Sequence, residues 1–195
     1  QAAGQLMTGN FAVVTAALLE GEVDLIQALR SFGLTCLGNA VGCGFISLAI
    51  QQAGLLKGGT AELAAVLATK KCAAPLGQTL IKAIRCNWLV SLAIFLASQS
   101  AALPGKVLGI WSCIPMFVSI GLEHSVANMF FIPFGMLAGA DVTVMQMLTK
   151  NLIIVTLGNL IGGGVLLAGG MSYQFGALGA TTVEAKLQDS EEPEV

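Results

Sequence analysis

The chain has 195 residues, of which 55% are hydrophobic and only 10% are charged, and its formal net charge is −2. Soluble domains carry about 25% charged residues, so this composition indicates an integral membrane protein rather than a soluble domain. The longest basic cluster is the pair Lys70-Lys71, which gives no support for nucleic-acid binding. Acidic residues are concentrated near the carboxyl end, so the rest of the chain is mildly basic, which suits an anion path better than a cation path.

Five windows without charged residues mark the candidate spans, since a helix that crosses a bilayer needs about 20 apolar residues. They cover residues 1–19, 31–56, 86–105, 107–140 and 151–183. The first is a partial span, and Pro104-Gly105 is predicted to stop the third. Ala61–Thr69 has the composition of a short helix lying at the surface. We therefore predict a membrane domain over residues 1–175 and an acidic, disordered tail over 176–195.

The cysteines show no sign of a metal site. They are odd in number and lack the closely spaced ligand pairs that zinc sites have. We interpret them as small packing residues and expect neither a metal nor another cofactor. The set is Cys36, Cys43, Cys72, Cys86 and Cys113.

The fourth window is interrupted at its midpoint by Glu123-His124, with sixteen uncharged residues on each side of the pair. Ionisable residues are costly inside a membrane span, so the pair predicts a functional site that faces a pore or cavity. The interruption also predicts a discontinuous helix. His124 can donate or accept a proton near neutral pH. Glu123 is expected to cap backbone amides at the break or to pair with His124. Phe117, two helical turns earlier, is expected to narrow the passage.

Two patterns recur along the chain. The string LGNAVGCG at 37–44 matches LGNLIGGG at 157–164, and a small residue followed by asparagine precedes each copy, at Asn10 and at Asn128. The separations are 120 and 118 residues. Such offsets indicate duplicated halves, and an odd number of spans between the copies predicts that the halves are inverted. The alternative is coincidence among helices rich in glycine and leucine.

Three segments together resemble the signatures of the formate/nitrite transporter family. They read CNWLVSLA at 86–93, GLEHSVANMFFIP at 121–133 and VTLGNLIGGG at 155–164. The resemblance extends to about Tyr173 and implies an aquaporin-like, all-α bundle with inverted repeats and broken helices. It implies a multi-pass protein of the plasma membrane or an organelle envelope, assembled as a homopentamer with one pore in each protomer. The implied cargo is small monovalent anions of weak acids, usually formate or nitrite and in some relatives lactate or hydrosulfide.

The resemblance also implies roles for individual residues. His124 matches the pore histidine and Glu123 the acid beside it. Lys71, sixteen residues before Asn87, matches a vestibule lysine that attracts anions, so Lys71 is expected to matter more than Lys70. The matches to pore-lining asparagines are Asn87 and Asn159. The matches to constriction residues are Leu6, Thr8 and Phe117.

Other functions fit the sequence less well. A neutral-solute pore of the aquaporin type is the alternative, but the paired Asn-Pro-Ala loops are absent, because Asn10 is followed by Phe11 and Asn128 by Met129. A membrane-embedded enzyme would need a nucleophile and base or a metal set, and one histidine with few intramembrane acids does not supply it. Anion channel and proton-coupled transporter both stay open.

The family pattern places the start of the chain within the second of six spans. We therefore expect residues 1–195 alone to form poor or leaky pentamers. About 60–80 upstream residues, enough for one span and half of another, should restore them. Size-exclusion chromatography and liposome flux of both forms test this, and a selective pentamer from the 195 residues alone would contradict it.

Overall fold

The computed structural model describes residues 5–180, and the regular structure within this range is helical. The helices are α1 (Met7–Leu19), α2 (Leu25–Gln52), α3 (Gly59–Ala73), α4 (Leu76–Gln99), α5 (Leu103–Ser119), α6 (Ser125–Leu137) and α7 (Val144–Phe175). By length and composition, α2, α4 and α7 are long and apolar enough to cross a membrane, and α1, α5 and α6 are shorter apolar helices. The prediction of an all-α membrane fold is confirmed.

The broken span is observed as two helices. Helix α5 ends at Ser119, α6 begins at Ser125, and the chain between them turns through Gly121, which has a φ of +67°. A positive φ of this kind is readily adopted by glycine. The last span is continuous, although its backbone is π-helical over Met147–Leu152 and Ile161–Gly169.

Close helix contacts depend on small residues. Helix α4 packs against α5 and α7, while α2 and α3 both pack against α6. At Gly135 of α6, an added Cβ would collide with the backbone of Ala64 and the side chain of Ala68 on α3. Glycine in membrane interfaces permits this approach. Ala61–Thr69 therefore belongs to a longer helix than predicted, α3, which packs one face against α6 and leaves most of its other residues exposed, as the prediction of a surface helix expects.

Several predicted boundaries are also wrong, because charged residues lie inside the helices. Helix α4 begins at Leu76 and includes Lys82 and Arg85, while α7 begins at Val144 and includes Lys150. Long basic side chains bury their stems and extend their charged heads to water, so charge-free windows underestimate helix length.

The carboxyl end of the third window, residues 86–105, also differs from the prediction. Helix α4 ends at Gln99, and Pro104 lies in the first turn of α5 instead of stopping a span. Proline suits that position, since the amide it lacks would have no partner within the helix.

The predicted tail begins with a helical turn at 177–180, and the rest of the tail lies outside the described residues.

A carboxylate fastens the end of α1 to the end of α7. The Ser172 hydroxyl and the Ala177 N–H both donate to Glu20, and these hydrogen bonds hold the pKa of the Glu20 carboxyl below its usual value. This contact links the carboxyl end of α1 to the carboxyl end of α7.

The recurring patterns form equivalent hydrogen bonds at two helix starts. The Met7 N–H donates to Asn39 Oδ1 over 2.9 Å, and Asn39 Nδ2 donates to the Gln5 carbonyl over 3.1 Å. In the second copy, the Ser125 N–H donates to Asn159 Oδ1 over 2.9 Å, and Asn159 Nδ2 donates to the Glu123 carbonyl over 3.0 Å. Each LGN asparagine thus fixes the chain on both sides of a helix start.

The asparagine pair at the second pattern is equivalent too. Asn10 Nδ2 donates to Ser31 Oγ over 3.2 Å, and Asn128 Nδ2 donates to Asn151 Oδ1 over 2.7 Å. Shared hydrogen bonds at matching positions support a duplication over coincidence.

Candidate functional site

His124 is held at both ring nitrogens. Its Nδ1 accepts the Ala127 N–H over 3.0 Å, which makes the imidazole the N-terminal cap of α6. Its Nε2 lies 3.0 Å from Thr8 Oγ1 on α1. Because a backbone N–H can only donate, Nδ1 carries the lone pair. A neutral His124 is therefore protonated at Nε2 and donates to the Thr8 hydroxyl.

Phe117 stacks on His124, with ring centroids 5.6 Å apart and an interplanar angle of 15°. Phe117 therefore lies beside His124, but not two turns before it on one helix as the sequence predicted. Helix α5 ends at Ser119, so the two residues do not share a helical face. The turn through Gly121 brings the rings together instead.

Two asparagines connect the break to the neighbouring helices. Asn159 Nδ2 donates to the Ala83 carbonyl of α4 over 2.8 Å in addition to its bonds at the break. Asn87 Nδ2 donates to the Asn159 carbonyl over 2.6 Å and to the Thr8 carbonyl over 3.1 Å. Irregular backbone in an apolar setting needs such partners, because unpaired amides are costly there.

Glu123 points away from the break and into a separate polar cluster. Its Oε2 accepts from Lys71 Nζ over 3.0 Å and from Asn128 Nδ2 over 2.6 Å. Asn151 Nδ2 lies 3.4 Å from the same oxygen. Glu123 neither caps α6 nor contacts the imidazole, so this expectation is wrong: His124 is itself the cap, and the nearby lysine takes the carboxylate.

A cavity of about 450 Å³ opens beside this cluster. Its wall includes Lys70, Lys71, Lys82, Glu123, His124 and Phe117. Lys71 is neutralised by Glu123, whereas Lys70 and Lys82 have no carboxylate within ion-pair distance among residues 5–180. The positive charge left unpaired on this wall therefore comes from Lys70 and Lys82. Lys71 lines the cavity as expected, although its charge is paired with Glu123, and its greater importance than Lys70 for attracting anions stays a prediction.

The structure brings most of the residues selected from the sequence to one place. Leu6 is the exception, because it lies just before α1 and is 50% exposed. Lys82 and Asn151 were missed. Lys82 carried no signal, because it lies outside every charge-free window. Asn151 could have been found, since it follows Ser31 by the same 120 residues that separate Asn39 from Asn159.

The ion pair gives a stability prediction. Replacing Lys71 with Met leaves Glu123 charged at a position whose side chain is only 9% exposed. Removing one partner of a buried pair costs about 3 kcal/mol or more. We expect Lys71→Met to lower the thermal midpoint of the purified protein, and Lys71→Met with Glu123→Gln to recover much of the loss.

Lys70→Met is the matched control, because it makes the same substitution at the neighbouring lysine, which has no carboxylate partner among residues 5–180. Equal losses from Lys70→Met and Lys71→Met would contradict the assignment of the pair.

Comparisons with known proteins identify the family. A family model described as formate/nitrite transporter matches residues 2–174. The chain is 39% identical to a probable formate transporter of Methanothermobacter thermautotrophicus, over 86% of this chain and 66% of that protein. It is 38% identical to the formate channel BtFdhC of Bacillus thuringiensis, over 83% of this chain and 62% of that protein. The chain thus spans about two thirds of the length of these relatives or slightly less.

A solved structure agrees with the sequence relatives. A protein described as an FNT family ion channel superposes with a TM-score of 0.82 at 32% identity, covering 89% of this chain and 70% of that one. The match of residues 2–174 covers nearly the whole chain. The chain therefore belongs to the formate/nitrite transporter family.

Proposed function

We propose that this chain forms a path for small monovalent weak-acid anions such as formate or nitrite across a membrane. The observation that carries the proposal is the position of His124, at the wall of a lysine-lined cavity and hydrogen-bonded to Thr8. Relatives named as formate transporter and formate channel support formate as cargo. Lactate or hydrosulfide could take the same path by their size and charge, and assembly as a homopentamer belongs to the same proposal.

Anions enter from the cavity. Lys70 and Lys82 raise their local concentration, since unpaired charges in a low-dielectric cleft focus the field. The Lys71–Glu123 pair contributes little net charge, and it keeps the carboxylate from repelling the anion. The apolar surface around Phe117 then disfavours an ion and admits its neutral acid more readily.

The hydrogen bonds at His124 constrain how a proton crosses. A neutral imidazole that already accepts at Nδ1 cannot give up its Nε2 proton without becoming an anion. Its Nε2–H donates to Thr8, which leaves the Thr8 proton free to bond a substrate oxygen. To become a proton donor, His124 would have to release the Ala127 amide. The geometry favours a proton that travels with the substrate while His124 orients Thr8.

His124 substitutions test the proposal. His124→Ala should abolish pH-driven uptake of radiolabelled formate into proteoliposomes. It should also reduce stability by about 1 kcal/mol, because α6 loses its cap. His124→Asn retains a good cap but lacks the imidazole, so it should remain stable and still fail to take up formate.

Glycerol uptake by the same vesicles separates an anion path from a neutral-solute pore of the aquaporin type. Formate uptake by His124→Asn at the parent rate would overturn the role of the imidazole. Glycerol uptake without formate uptake by the parent protein would overturn the proposed function.

The lysines give an independent prediction. Lys70→Gln and Lys82→Gln should each lower formate uptake a few-fold at low substrate and low ionic strength. The deficit should shrink as salt screens the charges. Lys106→Gln, at the far end of α5 from the break, is the control. Lys82→Gln uptake that matches Lys106→Gln at every ionic strength would contradict the role of Lys82.

A further inference from the structure

The cavity beside His124 is much larger than the proposed cargo. Its volume is about 450 Å³. Formate and nitrite have only a few heavy atoms, and either ion fills roughly the space of two water molecules, each with a share of about 30 Å³ in the liquid. Cavities of about 300–1,000 Å³ are the usual size for sites that hold organic ligands. The cavity therefore has room for a guest with a body of several carbon atoms.

Apolar side chains form most of the cavity wall. Phe131 of α6 is the largest of those that are accessible, with 39% of its surface exposed. It stands one helical turn after Ala127, so these two wall residues share a face of α6. Leu67 of α3 and Leu122 of the break lie in the same wall. An aromatic ring in the cavity has the Phe131 ring to pack against, and such pairs are favourable beyond the area that they bury.

Two cations of the wall are available to an acidic group. Lys70 lies on α3 and Lys82 on α4, and neither has a carboxylate within ion-pair distance among residues 5–180. A carboxylate or sulfonate accepts hydrogen bonds from either ammonium group. An apolar molecule would leave these charges unmatched, and a small ion would leave the apolar wall in contact with water. The whole wall is complementary to one negative charge joined to an apolar body.

The inner wall stops a guest of this size. Phe117 and His124 stack there, and each is 8% exposed. Thr8, which is hydrogen-bonded to the imidazole, is 0% exposed. An aromatic ring needs the stacked pair to separate much further than a formate molecule does. It is therefore held on the outer side of His124.

We propose that the cavity is a binding site for aromatic monoanions, in which Lys70 and Lys82 hold the acidic group and Phe131 packs against the ring. A bound molecule occupies the mouth of the path and blocks weak-acid transport without crossing. The binding site stands on the cavity itself, whereas the block rests on the proposed function.

Benzenesulfonate is the probe, because a strong acid remains ionised and neither crosses lipid as a neutral acid nor collapses a pH gradient. Isothermal titration of the full-length protein in lipid nanodiscs, with empty nanodiscs subtracted, compares three compounds. Methanesulfonate lacks the ring, and benzyl alcohol lacks the charge. Benzenesulfonate should bind at least tenfold more tightly than either, since burial of a ring alone contributes about that much. Equal affinities for the two sulfonates would overturn the inference without recourse to any variant.

Two substitutions test the assignment of the wall. Phe131→Ala should weaken benzenesulfonate binding about tenfold and change methanesulfonate binding little. Lys82→Gln should weaken the binding of both sulfonates, most strongly at low salt. Phe45→Ala is the control, because Phe45 is 69% exposed on α2 and lies outside this wall. The same benzenesulfonate affinity in Phe131→Ala and Phe45→Ala would contradict the role of Phe131.

The block is measured as radiolabelled formate uptake into proteoliposomes. Benzenesulfonate is present on both sides of the membrane, because the protein inserts in both orientations. Uptake by the parent should fall in a saturable way and recover as the formate concentration rises. Phe131→Ala should need about tenfold more benzenesulfonate for the same fractional loss of its own rate.

The fate of the probe decides the rest. Radiolabelled benzenesulfonate should not enter the vesicles, and its accumulation, or undiminished formate uptake at saturating benzenesulfonate, would overturn the block. Tight binding to a parent protein that shows no weak-acid flux would overturn the proposed function, and the block with it, but not the binding site.

Discussion

The carboxamide of Asn159 is the contact on which the rest of the site depends. It joins the Glu123 carbonyl, the Ser125 amide and the Ala83 carbonyl, and so fixes the break between α5 and α6 to α4. An interrupted helix within an apolar bundle exposes amides and carbonyls that water does not reach. Once these groups are paired, two neighbouring side chains can point in opposite directions. Glu123 points to the lysine and His124 to Thr8.

Charged and uncharged polar groups are separated in space by this arrangement. The cluster around Glu123 places an ion pair against the cavity, where a carboxylate alone would oppose an incoming anion. The groups beyond His124 are uncharged amides and hydroxyls. On the proposed path, a molecule would leave a cationic environment for one that offers hydrogen bonds, so the two regions differ in chemistry and not only in width.

The sequence was sufficient for the class of fold, the broken span and the position of most site residues. Those features follow from apolar length, from an ionisable pair in an apolar run and from repeated strings. The direction in which each side chain points was much harder to predict. Whether Glu123 faces its neighbour or Lys71 depends on the turn at Gly121, and Lys82 reaches the cavity only because α4 extends ten residues before Cys86. Such contacts between distant parts of the chain leave no local pattern.

The matching hydrogen bonds at Asn39 and Asn159 make positions 6 and 124 equivalent in the two halves, and there the chain carries a leucine and a histidine. If the halves descend from a single gene whose product paired with itself, both copies had the same residue at this place. A histidine in one half and a leucine at the equivalent position of the other could then be selected only after fusion, when each half could vary by itself. The asymmetry of the site would in that case be younger than its framework.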